Sequence, residues 1–408
     1  MGQQPRRWGV GCILVGGVGA GIDPVRGDHL ESRPTRRATA EMSKNKFGKA
    51  LQTPMPNPTP DPRPQALADL EARRGAARAQ RLLLLNSIAT ARKSHVVAYV
   101  TCGRGSLGTS IGSDVIRVFR EILGAVGNQA RLDLFLITRG GHTLTPLRLV
   151  SLLREFAKEV HVVVPYMAHS AGTLIALGAD SIVMGTMGEL GPVDPSVANQ
   201  FNPVVETADA QGGKLPTPRP RIPISVEDVT SYLSLASEKA KLDPAGMTAA
   251  FSALTSAVSP LALGNILRHH TLIRHLVRRL LMMHMDKEAD KAAIDSLVET
   301  LTEKLYAHDY LITRDEAASL GLNIQRPDPE VETWMWDLFK LYEGYLSIGS
   351  EINFPALLGA DRQKYLCIDG AVVEDRQTGH AFSYKGLVER KGADEFGFNA
   401  EFAGWEAL

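Results

Sequence analysis

Val164–Gly185 reads VPYMAHSAGTLIALGADSIVMG, and the reading of its centre decides the fold. The apolar run EVHVVVP leads into it from Glu159, and SIVMG closes it from Ser181. Between these short, β-branched runs lies SAGTLIALGA, a small-residue and apolar stretch of helical length. Strand, helix, strand is therefore predicted. The same alternation runs upstream. HVVAYVT (His95–Thr101) reads as a strand, and DVIRVFREILGAV as a helix that Ser113 can cap. LDLFLIT (Leu132–Thr138) is a second buried strand, and TPLRLVSLLREFA (Thr145–Ala157) a helix with Pro in its first turn. Apolar strands alternating with helices of about ten residues imply an α/β core on a parallel sheet.

The bulk properties narrow the class. The chain has 408 residues, 44% hydrophobic and 22% charged, with 45 basic and 45 acidic side chains. That is a globular composition, long enough for a main domain with additions. The balanced charge gives no global field toward nucleic acid or anionic lipid. Cys12, Cys102 and Cys367 lie far apart, so neither a disulfide framework nor a zinc site is indicated, and a reducing, cytoplasmic setting fits. No metal or cofactor constellation is expected.

Four regions are expected. Residues 1–64 form a leader ending in the proline-rich TPMPNPTPDPRP, which cannot sustain a helix. Arg6 and Arg7 before WGVGCILVGGVGAG superficially resemble an export signal, but the run is glycine-rich and too short to span a bilayer. MSKNKFGKA, from Met42, reads like a natural start, so residues 1–41 are read as an over-long gene start or a disordered leader. Residues 65–205 form the α/β core, 206–325 a Pro/Gly loop and helical extension, and 326–408 a C-terminal α+β segment with a hairpin at KYLCIDGAVVEDRQTGHAFSYKG. Ser225 with Asp228 is a capping-box start for one extension helix. No membrane-spanning segment is expected, while peripheral membrane association stays open. The basic stretch RHHTLIRHLVRRLLMMH reads as an amphipathic packing helix with a charged outer face.

Three constellations could carry chemistry. Gly103-Arg-Gly-Ser-Leu-Gly108 has dinucleotide-loop spacing, but further polar residues separate it from the next helix, so a flexible loop is the better reading. In ITRGGHT (Ile137–Thr143), Gly140 and Gly141 follow a buried strand, where they either make a tight turn or offer N–H groups to an oxyanion. Ser170 is either a helix N-cap, worth about 1 kcal/mol, or a nucleophile with Ala171 and Gly172 leaving room for a carbonyl. The two glycines and Ser-Ala-Gly fall at the carboxyl ends of neighbouring strands, which favours the catalytic reading of both.

ITRGGHT, VPYMAHSAGTLIALGADSIVMG and GELGPVDPS (Gly188–Ser196) together resemble the serine dehydrogenase proteinase family of the ClpP/crotonase superfamily, related to signal peptide peptidase A. The resemblance runs from about Val96 to Ser196 and more loosely through the helical extension. It implies a serine peptidase on a ClpP/crotonase-like core, with peptide or protein substrates and a homo-oligomeric assembly. It further implies Ser170 as nucleophile and an oxyanion hole from Gly141 (or Gly140) and Ala171. The histidine that ClpP proteases carry about two dozen residues beyond the serine is absent from GELGPVDPS, so a simple Ser-His-Asp triad is excluded. Signal peptide peptidase A uses a lysine in a loop ahead of a helix. The matching residue here is Lys214, with Lys239, Lys241 and His142 as the other candidates for the base. His169 reads as a packing or rim residue. A crotonase-type acyl-thioester enzyme and a non-catalytic assembly or binding protein are the alternatives on the same fold.

Overall fold

Eight strands in the order β10-β5-β3-β2-β1-β11-β12-β13 make the central sheet, whose left half is parallel and right half antiparallel. The computed structural model describes residues 61–193, 196–197, 200–204, 221–305, 309–392 and 395–408. In chain order the first elements are α1 (Arg63–Arg92), β1 (His95–Thr101), α2 (Val115–Val126), β2 (Gln129–Ile137), α3 (Thr145–Phe156), β3 (Ala157–Val164), β4 (Met167–Ala168), α4 (Ala171–Leu177) and β5 (Ser181–Met184). Next come β6 (Glu189–Leu190), β7 (Ser196–Val197), β8 (Ile224–Ser225), α5 (Val226–Ser234), α6 (Pro244–Ala257), α7 (Pro260–Leu281) and α8 (Lys291–Glu299). The last are β9 (Ile312–Thr313), α9 (Arg314–Ser319), β10 (Ile324–Gln325), α10 (Pro329–Leu346), α11 (Phe354–Leu358), β11 (Gln363–Glu374), β12 (Gly379–Arg390) and β13 (Phe396–Ala407).

The strands of the parallel half are buried on both faces because helices cover both. Along β1, Val97 and Tyr99 join the cluster under α2, α3, α4 and α7, while Val96, Ala98 and Val100 join Leu85, Ile88, Leu338 and Phe339 under α1 and α10. This is the arrangement that continuous apolar strands require. The fold is α/β, as the alternation of elements indicates.

Beyond the parallel strands, β11 pairs antiparallel with β1, and β12 and β13 continue the sheet outward. Buried ion pairs lock α1 onto these strands: Arg81 with Glu374, and Arg74 with Asp369 at 2.9 Å. Tyr342 donates its hydroxyl to Glu374 at 2.8 Å, which satisfies the same buried carboxylate from α10. The capping box expected at Ser225 and Asp228 is present at the head of α5. Ser113 is not the cap of α2: Asp114 occupies the position before it, without a side-chain cap bond. Among the described residues no single helix is long and apolar enough to cross a membrane.

Candidate active site

The two glycines and Ser170 meet because β4 docks on the end of β2. Thr138 donates its N–H to the Met167 carbonyl at 3.0 Å, and His169 donates its N–H to the Thr138 carbonyl at 3.0 Å. This bridge sets Gly140–Gly141 beside His169–Ser170–Ala171. On the other side the glycines are held by Ile111, whose N–H donates to the Gly140 carbonyl at 2.8 Å and whose carbonyl accepts from His142 N–H at 2.7 Å. The buried Thr138 hydroxyl accepts the Gly140 N–H at 3.0 Å. Both glycines are required. A Cβ on Gly140 (φ +109°) would stand 2.8 Å from Ser170 Cβ and 3.2 Å from Ala171 N. A Cβ on Gly141 (φ +150°) would lie 2.4 Å from the Ile111 carbonyl oxygen.

Ser170 itself has φ 51° and ψ −111°, a conformation natural to glycine. For a residue with a side chain it stores about 1–3 kcal/mol, which the surrounding bonds must hold. The capping reading fails here: the Ser170 hydroxyl accepts no N–H of α4, and Gly172 N–H turns back to the His169 carbonyl at 2.8 Å. The turn instead sets Ser170 Cβ against Gly140, where a side chain on residue 140 would have no room. Among the described residues, neither Gly141 N–H nor Ala171 N–H has an acceptor. Thr173 pins the far side of the turn, donating its hydroxyl to the Ala168 carbonyl at 2.8 Å and accepting Gly191 N–H at 3.0 Å. Gly172 is needed as well, since a Cβ there would meet Thr138 Cγ2 at 2.5 Å.

The basic groups fall elsewhere. Lys214 lies outside the described residues. Lys239, in the π-helical turn after α5, and Lys241 are both exposed. His142 is exposed, with Nδ1 engaged 3.0 Å from the Thr145 hydroxyl. His169 Nε2 stands 3.0 Å from Glu189 Oε1, which turns the ring toward the β6 strand. Among the described residues no group of three or more metal-ligating side chains gathers.

The Gly103–Gly108 loop is not left flexible for a phosphate. Glu351 fills it, accepting Gly105 N–H at 2.9 Å, Ser106 N–H at 3.1 Å and the Ser106 hydroxyl at 2.8 Å. Those bonds, the Ser106 hydroxyl first, hold the Glu351 carboxyl below its ordinary range.

Residues 70–215 match the family of ClpP-like SDH-type serine proteinases. The match spans the Ile111 loop, the paired glycines and the Ser170 turn, and it supports a serine peptidase. An uncharacterized protein of Methanocaldococcus jannaschii is 28% identical over 64% of this chain and 78% of its own. A second from the same organism is 31% identical over 29% of this chain and 42% of its own. Two solved structures of the 1510-N membrane-bound stomatin-specific protease, one a serine-to-alanine mutant and one a lysine-to-alanine mutant with a substrate peptide, align at 16% identity. They cover 62% and 58% of this chain and 86% and 78% of theirs, each with a TM-score of 0.30.

Proposed function

We propose that the peptidase works through an acyl-enzyme on Ser170, with Lys214 as the general base. The observation that carries this reading is the Ser170 turn: a serine held at φ 51°, capping nothing, beside a glycine pair whose space a single methyl would fill. The Ser170 oxygen attacks the peptide carbonyl carbon while its proton passes to the neutral Lys214 amine. The carbonyl oxygen becomes an oxyanion held by the N–H groups of Gly141 and Ala171, two donors worth about 10²–10³ in rate each. The C–N bond then breaks, the lysine ammonium returns the proton to the departing amine, and an ester on Ser170 remains. Water attacks that ester while passing a proton to Lys214, the C–O bond to Ser170 breaks, the lysine ammonium returns the proton to the Ser170 oxygen, and the acid leaves.

A lysine serves this way only if burial or neighbouring charge lowers its pKa toward neutrality. The exposure of Lys239 and Lys241, and the engagement of His142 with Thr145, support Lys214 over them. A homo-oligomer in a cytoplasmic setting completes the proposal.

The test is a fluorophosphonate probe with a peptide-hydrolysis assay. Wild type is expected to label and to cleave, while Ser170→Ala does neither and Lys214→Ala falls by at least about a hundredfold in both. Equal labelling of Ser170→Ala would remove the nucleophile assignment. Full activity in Lys214→Ala would remove the base. Acyl-CoA binding without labelling would favour the acyl-thioester alternative.

A further inference from the structure

A cleft of about 800 Å³ opens between α2, α3 and the outer strands β12 and β13, and the serine chemistry makes no use of it. Its floor is apolar, built from Ile116, Leu152, Phe382 and Trp405, and its walls carry Arg117, Arg120 and Arg148. One carboxylate lines it, Asp114, and that group is taken by the indole N–H of Trp405 at 2.7 Å. Arg117 has a weak partner in Glu121 at 3.7 Å; both are exposed. Arg120 lies over the Phe156 ring at 5.3 Å, and among the described residues neither Arg120 nor Arg148 has a carboxylate partner. The cleft is thus a cationic rim around a hydrophobic floor.

We propose that this cleft is a docking site for an acidic, apolar-studded peptide segment of a protein substrate. Charge complementarity supplies the first reason, because guanidinium groups bind carboxylates in bidentate pairs. The second reason is the wall that β13 contributes through Ala403, Gly404 and Trp405. β13 ends the sheet, so an extended peptide can add to it by main-chain bonds while its side chains reach the floor and the arginines. That geometry selects an extended peptide over a nucleic acid or a lipid surface.

Asp114 stands three residues from Ile111, whose backbone holds Gly140 and His142. The choice of peptide as occupant rests on the peptidase activity; occupancy itself needs no catalysis.

Binding is therefore measured on the full chain carrying Ser170→Ala, by fluorescence anisotropy. The probes are fluorescein-labelled peptides of alternating Glu and Phe, alternating Lys and Phe, and alternating Glu and Ser. The Glu/Phe peptide is expected to bind at least about tenfold tighter than the other two, and to weaken with added salt. Arg120→Ala with Arg148→Ala should cost at least about tenfold. Arg120→Glu with Arg148→Glu should invert the preference toward the Lys/Phe peptide, a gain that misfolding cannot produce. Equal affinity for the Glu/Phe and Lys/Phe peptides, unchanged affinity in the alanine pair, or no binding by any peptide would overturn the proposal. Binding as expected in a protein that never labels at Ser170 would keep the docking site and remove the catalytic mechanism.

Discussion

Gly140→Ala tests the packing of the site with one methyl group. The new Cβ would meet Ser170 Cβ at 2.8 Å, the His169 carbonyl oxygen at 3.0 Å and Ala171 N at 3.2 Å. Two of these are backbone atoms held by bonds to Thr138 and within α4, so they yield little. Alanine at φ +109° costs about 1–2 kcal/mol, and overpacking a fixed neighbourhood adds about 1–3 kcal/mol. The destabilisation expected is therefore about 2–5 kcal/mol, unless the Ser170 turn moves away. If it moves, the hydroxyl and the two free N–H groups lose their mutual placement, and the loss of one oxyanion donor alone is worth about 10²–10³ in rate. The assay pairs thermal unfolding with the fluorophosphonate labelling rate. Gly264→Ala in α7 is the control: nothing lies within 4 Å of its Cβ, and it should gain up to about 1 kcal/mol with unchanged labelling. A Gly140→Ala protein as stable and as fast in labelling as the Gly264→Ala control would refute the reasoning.

Three further outcomes are expected. Ser170→Gly should unfold at a higher temperature than Ser170→Ala by about 1 kcal/mol of added stability, because glycine adopts φ 51° without strain, while neither variant labels. Thr138→Val removes the acceptor of the Gly140 N–H and the partner of the Thr101 hydroxyl, so denaturant titration should show a loss of about 1–3 kcal/mol together with slower labelling. Burial alone would raise the Asp369 carboxyl, but hydrogen bonds from Arg74, Ser383 and Tyr345 outweigh it and hold the group below its ordinary range. A depressed carboxyl stabilises the fold above its unfolded pKa near 4, and that contribution is lost as the pH falls. The urea midpoint should therefore drop between pH 6 and pH 3, and Asp369→Asn should show a smaller drop. An equal drop would contradict the assignment.

The parallel half of the sheet was legible because strands buried on both faces must be largely apolar, as HVVAYVT and the run before Pro165 are. The approach of Gly140–Gly141 to Ser170 was partly legible: they lie beyond β2 and β3, neighbouring parallel strands that end on one edge. The C-terminal hairpin was legible as a hairpin, yet its pairing with β1 was not, since antiparallel alternation does not name the sheet it joins. The two-residue strands β4, β6 and β9 carry no period at all, and β4 is what brings Thr138 to Ser170. Serine at a helix start is chemically a cap, so nothing in the residue type announced a backbone at φ 51°. Glu351 closing the Gly103 loop is a contact across well over half the chain, beyond any local pattern. Ile111, Thr138 and Thr173 were missed because a backbone grip and two buried hydroxyl bonds have no motif.

The central claim is that Ser170 is the nucleophile, and peptide mapping of the fluorophosphonate adduct by mass spectrometry addresses it most directly. The adduct is expected on the tryptic peptide containing Ser170, at that oxygen, in a one-to-one ratio with lost peptidase activity. An adduct on another serine, with Ser170 unmodified in fully inhibited protein, would contradict it.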